Sequence, residues 1–131
     1  MDSQIKKIHQ QLVSKQITCT ALVQEKLEVL KQNTYNSVNS LLDTLALDLA
    51  AKVDAKIANG ETIGLLEGIP FGIKDVYMVQ GTYATASSDL LKNYKSPYTA
   101  TAIQKLLDAG AIPLVKENCD SFGHGSSSEN T

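Results

Sequence analysis

A change in the spacing of apolar residues near residue 65 is the feature that most constrains the fold. In the segment 69–74, Ile69, Phe71 and Ile73 alternate with proline, glycine and lysine, which is the two-residue period of a β-strand. A helical segment follows, and residues 111–115 form a second apolar run of strand length. A strand, a connecting helix and a strand in this order favour parallel pairing. The sequence therefore predicts an α/β fold with helices packed against a sheet.

The helix between these two strands is predicted from its ends and its apolar face. Thr99 is the predicted N-cap, and Ile103, Leu106 and Leu107 form the predicted buried stripe. Gly110 is the predicted C-terminal glycine.

Residues 1–60 have the spacing of helices. A short amphipathic helix is predicted around residues 5–12, and a second helix begins after Thr18 as its N-cap. A third is predicted from about Asp43 to Ala58, after a short strand within residues 35–41. The predicted apolar positions are Ile5, Ile8 and Leu12 in the first helix, Val23, Leu27 and Leu30 in the second, and Leu42, Leu45, Leu49, Val53 and Ile57 in the third.

The chain of 131 residues fits one domain, with a helical region at 1–60 and a strand-helix-strand region at 65–131. Two strands cannot complete a sheet of this type. We therefore expect N-terminal helices plus the start of a mixed, largely parallel sheet that is flanked by helices.

Composition excludes several classes of function. The net charge of −2 and the scattered positions of the 12 basic residues predict no basic surface that binds the phosphate backbone of a nucleic acid. No apolar run approaches the ~20 residues that span a bilayer, so a cytoplasmic protein is predicted. Cys19 and Cys119 lack the spacing of a metal site, and we expect both to be buried free thiols.

Lys74 is the first candidate functional residue, because it lies late on a strand among apolar and glycine neighbours. A solvated lysine at a sheet edge is the plain alternative. Gly72 lies on the same strand face, so another segment could approach the ammonium and remove its water, which would favour the neutral base. Asp75 should point to the opposite face and bind backbone or a helix end instead.

A second candidate is the glycine and serine stretch at 123–130. Its exposed N–H groups and hydroxyls are compatible with a phosphate-binding loop, the wall of an acyl-substrate pocket, or a flexible terminus. No GxxxxGK[ST] phosphate motif is present. A Ser-His-Asp triad using His124 is disfavoured because the G-x-S-x-G elbow is absent.

Taken together, four segments resemble the amidase signature family. They are ALDLAAKVD at 46–54, GIPFGIKD at 68–75, LLDAGA at 106–111 and KENCDSFGHGSSSEN at 116–130. Their order and spacing match the family's pattern along most of the chain. Departures include Glu67 where histidine is common and Val115 where glycine usually precedes the lysine.

The resemblance implies an incomplete amidase signature fold and a Ser-cisSer-Lys mechanism, with Lys74 as the catalytic lysine. Both family serines are expected beyond Thr131, so this piece alone is predicted to be inactive. The resemblance also assigns His124, Gly125 and Ser126 to the substrate side of the pocket.

Within the family, the segments 85–87 and 125–130 look most like the glutamine-hydrolysing subunits of tRNA-dependent amidotransferases. That likeness implies glutamine as substrate and other amidotransferase subunits as partners. Charged tRNA, ATP and Mg²⁺ would bind a partner subunit, and no cofactor is expected in this chain.

Two alternatives remain open from the sequence. The parent could be a stand-alone amidase acting on small or fatty amides. The chain could also be a truncated, non-catalytic interaction module that binds through an exposed sheet edge.

Overall fold

A computed structural model describes residues 3–129 and 131. Within this part of the chain, four α-helices accompany a three-stranded sheet. The elements are α1 Gln4–Val13, α2 Cys19–Lys31, β1 Val38–Leu41, α3 Asp43–Ala58, β2 Pro70–Lys74, α4 Thr101–Asp108 and β3 Ile112–Glu117, with short 3-10 helices at Asp89–Leu91 and Ser121–Gly123. None of the helices described is long and apolar enough to cross a membrane.

The sheet has the strand order β1-β3-β2. β2 pairs parallel to β3, from Pro70 opposite Ile112 to Lys74 opposite Glu117. β1 pairs antiparallel to the other edge of β3. The predicted parallel strand-helix-strand unit is therefore confirmed, and the mixed sheet follows from the additional antiparallel strand.

Several predicted helix ends are confirmed. The Thr18 side chain accepts a hydrogen bond from the Ala21 N–H of α2 at 3.1 Å, and α3 has the predicted bounds. Gly110 follows α4 with φ of 81°, a left-handed conformation that glycine adopts without penalty. The prediction that Thr99 caps α4 is wrong: Ala100 holds that position without a side-chain bond. The Thr99 hydroxyl instead accepts from the Gln80 N–H at 3.0 Å.

The buried face of α3 differs from the leucine stripe predicted for it. Ala46 and Ala50 are fully buried, whereas Leu45 and Leu49 are only half-buried. Both α2 and β3 pack against α3, and small side chains allow this close approach. Spacing alone located the helix but did not identify which of its apolar residues face the closest neighbours.

Two apolar clusters form the core. The first joins α1, α2, α3 and β3 and includes Leu12, Val23, Val53, Ile112 and Leu114. The second lies between the sheet and α4 and consists of Leu42, Ile73, Val79 and Ile103. The sheet is thus covered by helices on both sides of its central apolar residues, as expected for an α/β layer.

The Asp54 carboxylate of α3 binds the N-terminus of α2. It accepts hydrogen bonds from the N–H groups of Cys19 at 2.6 Å and Thr20 at 2.9 Å, and from the Thr20 hydroxyl at 2.6 Å. A carboxylate at this place satisfies N–H groups that have no partner within the helix and interacts favourably with the helix dipole. Asp54 therefore fixes α2 against α3.

We predict that Asp54→Ala lowers the free energy of unfolding by about 1 to 3 kcal/mol, because buried donors of α2 lose their acceptor. The matched control is Asp48→Ala, which removes the same charge from an exposed position of the same helix and should change it by less than about 0.5 kcal/mol. Urea unfolding of this chain measures both values. Equal losses in the two variants would contradict the capping role.

Both cysteines are buried and free, as predicted. Burial, followed by the negative charge of Asp54, raises the pKa of the Cys19 thiol to about 12. The Cys19 thiol also lies 3.6 Å from the Gly68 carbonyl oxygen. The neutral thiol is therefore the form that the folded state accommodates.

This raised pKa predicts a loss of stability at alkaline pH. The Cys19 contribution is fully present below the ordinary thiol pKa of ~8.5 and is lost as pH rises from there towards the folded value, since only the unfolded thiol ionises. The stability advantage of wild type over Cys19→Ala should shrink by about 1 to 2 kcal/mol between pH 7.5 and pH 10. Urea titrations at both pH values test this, and an unchanged difference would refute it.

Candidate active site

A buried ion pair lies at the carboxyl ends of the two parallel strands. The Lys116 ammonium of β3 donates a hydrogen bond of 2.7 Å to Oδ1 of Asp75, the residue that follows β2. Lys116 is 0% exposed and Asp75 is 1% exposed. Charges are removed from water this completely only when they are paired and hydrogen-bonded.

Asp75 has several further partners. Its Oδ2 accepts from the Asn39 side-chain amide at 2.8 Å and from the Thr85 hydroxyl. The expectation that Asp75 binds backbone is borne out by the Thr85 N–H, which donates to Oδ2 at 3.4 Å, but the expectation did not include the three side chains that make the shorter bonds. Among the described residues, Asp75 pairs with Lys116 and not with Lys74, as strand alternation predicts.

The loop that follows Thr85 is held in a strained conformation beside this pair. Ala86 and Ser87 both have positive φ, 47° and 51°, which costs non-glycine residues about 1 kcal/mol or more each. The Ala86 N–H donates to the Asp75 carbonyl oxygen at 3.1 Å. The Ser87 hydroxyl accepts from the Asn39 amide at 2.9 Å and the Cys119 N–H at 3.0 Å. These bonds compensate for the backbone strain.

Lys74 is the last residue of β2, and it is exposed. The described residues leave Lys74 exposed to water, so its desolvation by another segment stays a prediction. Gly72 does allow a close approach, but the group that uses it is the Glu117 side chain, whose carboxylate occupies the space where a Cβ would lie. Within the described residues, no ion pair or side-chain hydrogen bond involves the Lys74 ammonium.

The glycine and serine stretch begins at Gly123, the last residue of the second 3-10 helix. His124, Gly125 and Ser126 are all exposed. The carboxylate of Asp120 lies against Gly125, where any side chain would collide with it, and accepts from the Ser128 N–H at 3.0 Å. No bond in the described structure joins Lys74 to His124, Gly125 or Ser126.

The 3-10 helix at Ser121–Gly123, in which this stretch begins, is nevertheless tied to the loop beside Asp75. The Phe122 N–H donates to the Ala86 carbonyl oxygen at 2.9 Å, and the Ser121 hydroxyl donates to the Ser87 carbonyl oxygen at 2.9 Å. The three segments that follow β2, β3 and Thr85 thus form one connected group. Gly123, which precedes His124, lies close to Val76, two residues beyond Lys74.

A polar cleft of about 530 Å³ opens at this edge of the sheet. Ligands of open α/β sheets bind beyond the carboxyl ends of the strands, and the cleft has that position. Neither Lys74 nor residues 124–126 line it. Its walls are mainly hydroxyl and amide side chains, including Asn39, Thr85, Ser87, Asn118 and Ser121.

Sequence reasoning missed the structural role of Lys116. A lysine directly after a run of buried strand residues was a visible signal, because a charge there needs a buried partner. From the sequence, Lys116 is recognised only as the first residue of the segment at 116–130 that resembles the family. Its partner could not be chosen from sequence, since Asp75 is 41 residues away.

Comparison with known proteins identifies the class. The family profile described as Amidase matches residues 19–131. The chain therefore belongs to the amidase signature family, as its motifs indicated. The fold agrees: the native peptide amidase from Stenotrophomonas maltophilia superimposes with a TM-score of 0.81 at 25% identity, over 92% of this chain and 26% of that one.

Within this family the chain is similar to the N-terminal part of the A subunit of glutamyl-tRNA(Gln) amidotransferase. It is 47% identical to that protein from Trichodesmium erythraeum over 97% of its own length and 27% of the relative's. The protein of the same name from Nostoc punctiforme is 46% identical, with 97% and 26% covered. The chain thus spans about a quarter of the length of these relatives.

We predict that Lys116→Met lowers the free energy of unfolding by about 3 to 5 kcal/mol, because it leaves the Asp75 carboxylate buried without its counter-charge. Lys74→Met is the matched control, since it removes an exposed lysine from the neighbouring strand; it should cost less than about 0.5 kcal/mol.

The double variant Lys116→Met/Asp75→Asn should recover part of this loss, because no unpaired charge remains. Urea unfolding of this chain measures all three variants. If Lys116→Met were as stable as Lys74→Met, burial of the Asp75 carboxylate would not depend on its pairing with Lys116.

Proposed function

We propose that this chain is the N-terminal part of a glutaminase subunit of a tRNA-dependent amidotransferase, which releases ammonia from glutamine. The supporting observation is 47% identity to the amidotransferase relative across nearly the whole chain, together with Lys74 at the carboxyl end of a parallel strand. Identity to the peptide amidase of solved structure is only 25%. The difference favours the amidotransferase over a stand-alone amidase.

Lys74 is the general base of the proposed reaction. Its neutral amine accepts a proton from a bridging serine, which takes one from the serine nucleophile as that oxygen attacks the glutamine amide carbon. Both serines belong to polypeptide beyond Thr131. The position of Lys74 supports this role, because an amine that has no side-chain partner among the described residues is available to a hydroxyl from that later segment.

The substrate side and the partners follow from the same proposal. His124, Gly125 and Ser126 contribute to the wall of the acyl pocket, and their N–H groups and the Ser126 hydroxyl suit a polar amide substrate. Ammonia passes to a partner subunit that holds charged tRNA, ATP and Mg²⁺, converting Glu-tRNA(Gln) to Gln-tRNA(Gln). This assembly works in the cytoplasm, and the described chain alone is inactive.

We predict that Lys74→Ala in the whole subunit lowers kcat for glutamine hydrolysis by about 10²- to 10⁴-fold, the usual contribution of a positioned base. The control is Lys105→Ala, which removes an exposed lysine from α4 and should leave kcat unchanged. Ammonia release from glutamine in the assembled complex gives both values.

Glutaminase activity that survives Lys74→Ala would overturn the role of Lys74. A whole protein that hydrolyses simple amides but not glutamine, with or without partner subunits, would instead favour the stand-alone amidase.

A further inference from the structure

Among the residues that the structure describes, no side-chain contact of Lys74 explains how its amine is held in place. Its side chain is exposed, and its carbonyl oxygen accepts one turn hydrogen bond, from the Tyr77 N–H at 3.0 Å. An exposed lysine side chain has many rotamers, so the fold can fix only the backbone position from which the side chain extends. That backbone position depends on the next residue, Asp75.

Asp75 is anchored through both its backbone and its side chain. Its N–H donates to the Glu117 carbonyl oxygen at 3.0 Å, and its carbonyl oxygen accepts from the Ala86 N–H at 3.1 Å. The side-chain carboxylate is held by Lys116, Asn39 and Thr85. The end of β2 is therefore fixed to β3, to β1 and to the loop at 85–87.

Lys116 is the central member of this set. Besides its bond to Asp75, the Lys116 ammonium donates to the Tyr83 carbonyl oxygen at 3.2 Å. One buried charge therefore connects the end of β2 with the segment around Tyr83. Ile73 and Lys116 are register partners, as are Lys74 and Glu117. Strand alternation places the pair on one face of the sheet and Lys74 on the other.

We propose that Lys116 and Asp75 are positioning residues for Lys74, which act by fixing the end of β2 from the opposite face of the sheet. The inference rests on the proposed role of Lys74 as a base. A displacement of about 1 Å at a reacting group can lower the rate about 100-fold, so loosening this anchor should reduce kcat although neither residue contacts substrate.

The main test is Lys116→Met/Asp75→Asn in the whole subunit, which removes both charges without leaving one unpaired. We expect kcat for glutamine hydrolysis to fall about 10- to 100-fold, with KM changed less than about threefold, because the displaced group is a base and not a binding residue. A folded double variant that keeps kcat within about threefold of wild type would overturn the proposal.

Asp54→Ala is the control for general destabilisation, because it weakens the contact between α2 and α3, which is distant from Lys74. Under conditions where it stays folded, Asp54→Ala should keep the wild-type kcat. A loss of kcat as large as that of the double variant would show that general destabilisation explains both, and would reject positioning.

A second pair of variants serves if the double variant does not fold. Thr85→Val removes the hydroxyl that binds Asp75 at nearly constant volume, and Thr85→Ser keeps that hydroxyl. We expect about a 3- to 10-fold lower kcat for the valine variant and rescue by serine. Equal kcat values in the two variants would refute the anchor.

The proposed function is tested separately by Lys74→Ala. If that variant is inactive while Lys116→Met/Asp75→Asn and Thr85→Val retain full kcat, Lys74 is the base and the positioning inference fails. If Lys74→Ala stays active, the proposed function itself fails.

Discussion

The buried contact between Lys116 and Asp75 is the interaction on which the arrangement of this edge depends. It joins the end of β3 to the end of β2 and draws in Asn39 from β1 and Thr85 from the following loop. An ion pair in an apolar interior has little net value against apolar residues of similar volume, but it strongly penalises any structure in which one partner is missing. The ion pair therefore favours one register of β2 against β3 and one conformation of the loop at 85–87.

The register of β2 against β3 determines which side chains at this edge are exposed. Because Asp75 and Lys116 occupy one face of the sheet, alternation leaves Lys74 on the other, beside Gly72 and Glu117. Adjacent residues thus have opposite environments, one buried with several partners and one exposed. The same network supports Ala86 and Ser87 in a left-handed conformation, which two residues with side chains would not adopt without compensation.

The sequence predicted the elements better than their contacts. The α3 bounds, the Thr18 cap and the parallel pairing of β2 with β3 followed from local preference and periodicity, and the structure has them. The Thr99 cap failed because its hydroxyl binds Gln80, a partner distant in the chain. The desolvation of Lys74 stays a prediction, since the absence of a Cβ at Gly72 does not specify which group fills the space, and among the described residues the Glu117 side chain fills it.

What the sequence alone determined is the α/β class, the order of helices and strands, and membership of the amidase signature family, since these depend on short-range patterns and on motifs in a fixed order. The tertiary structure alone decided that Lys116 pairs with Asp75, that Asp54 caps α2, and that the loops after the strands meet at a polar cleft. The physical reason is that a buried charge requires a partner but does not specify which. Only the packing of strands 41 residues apart in the chain selects that partner.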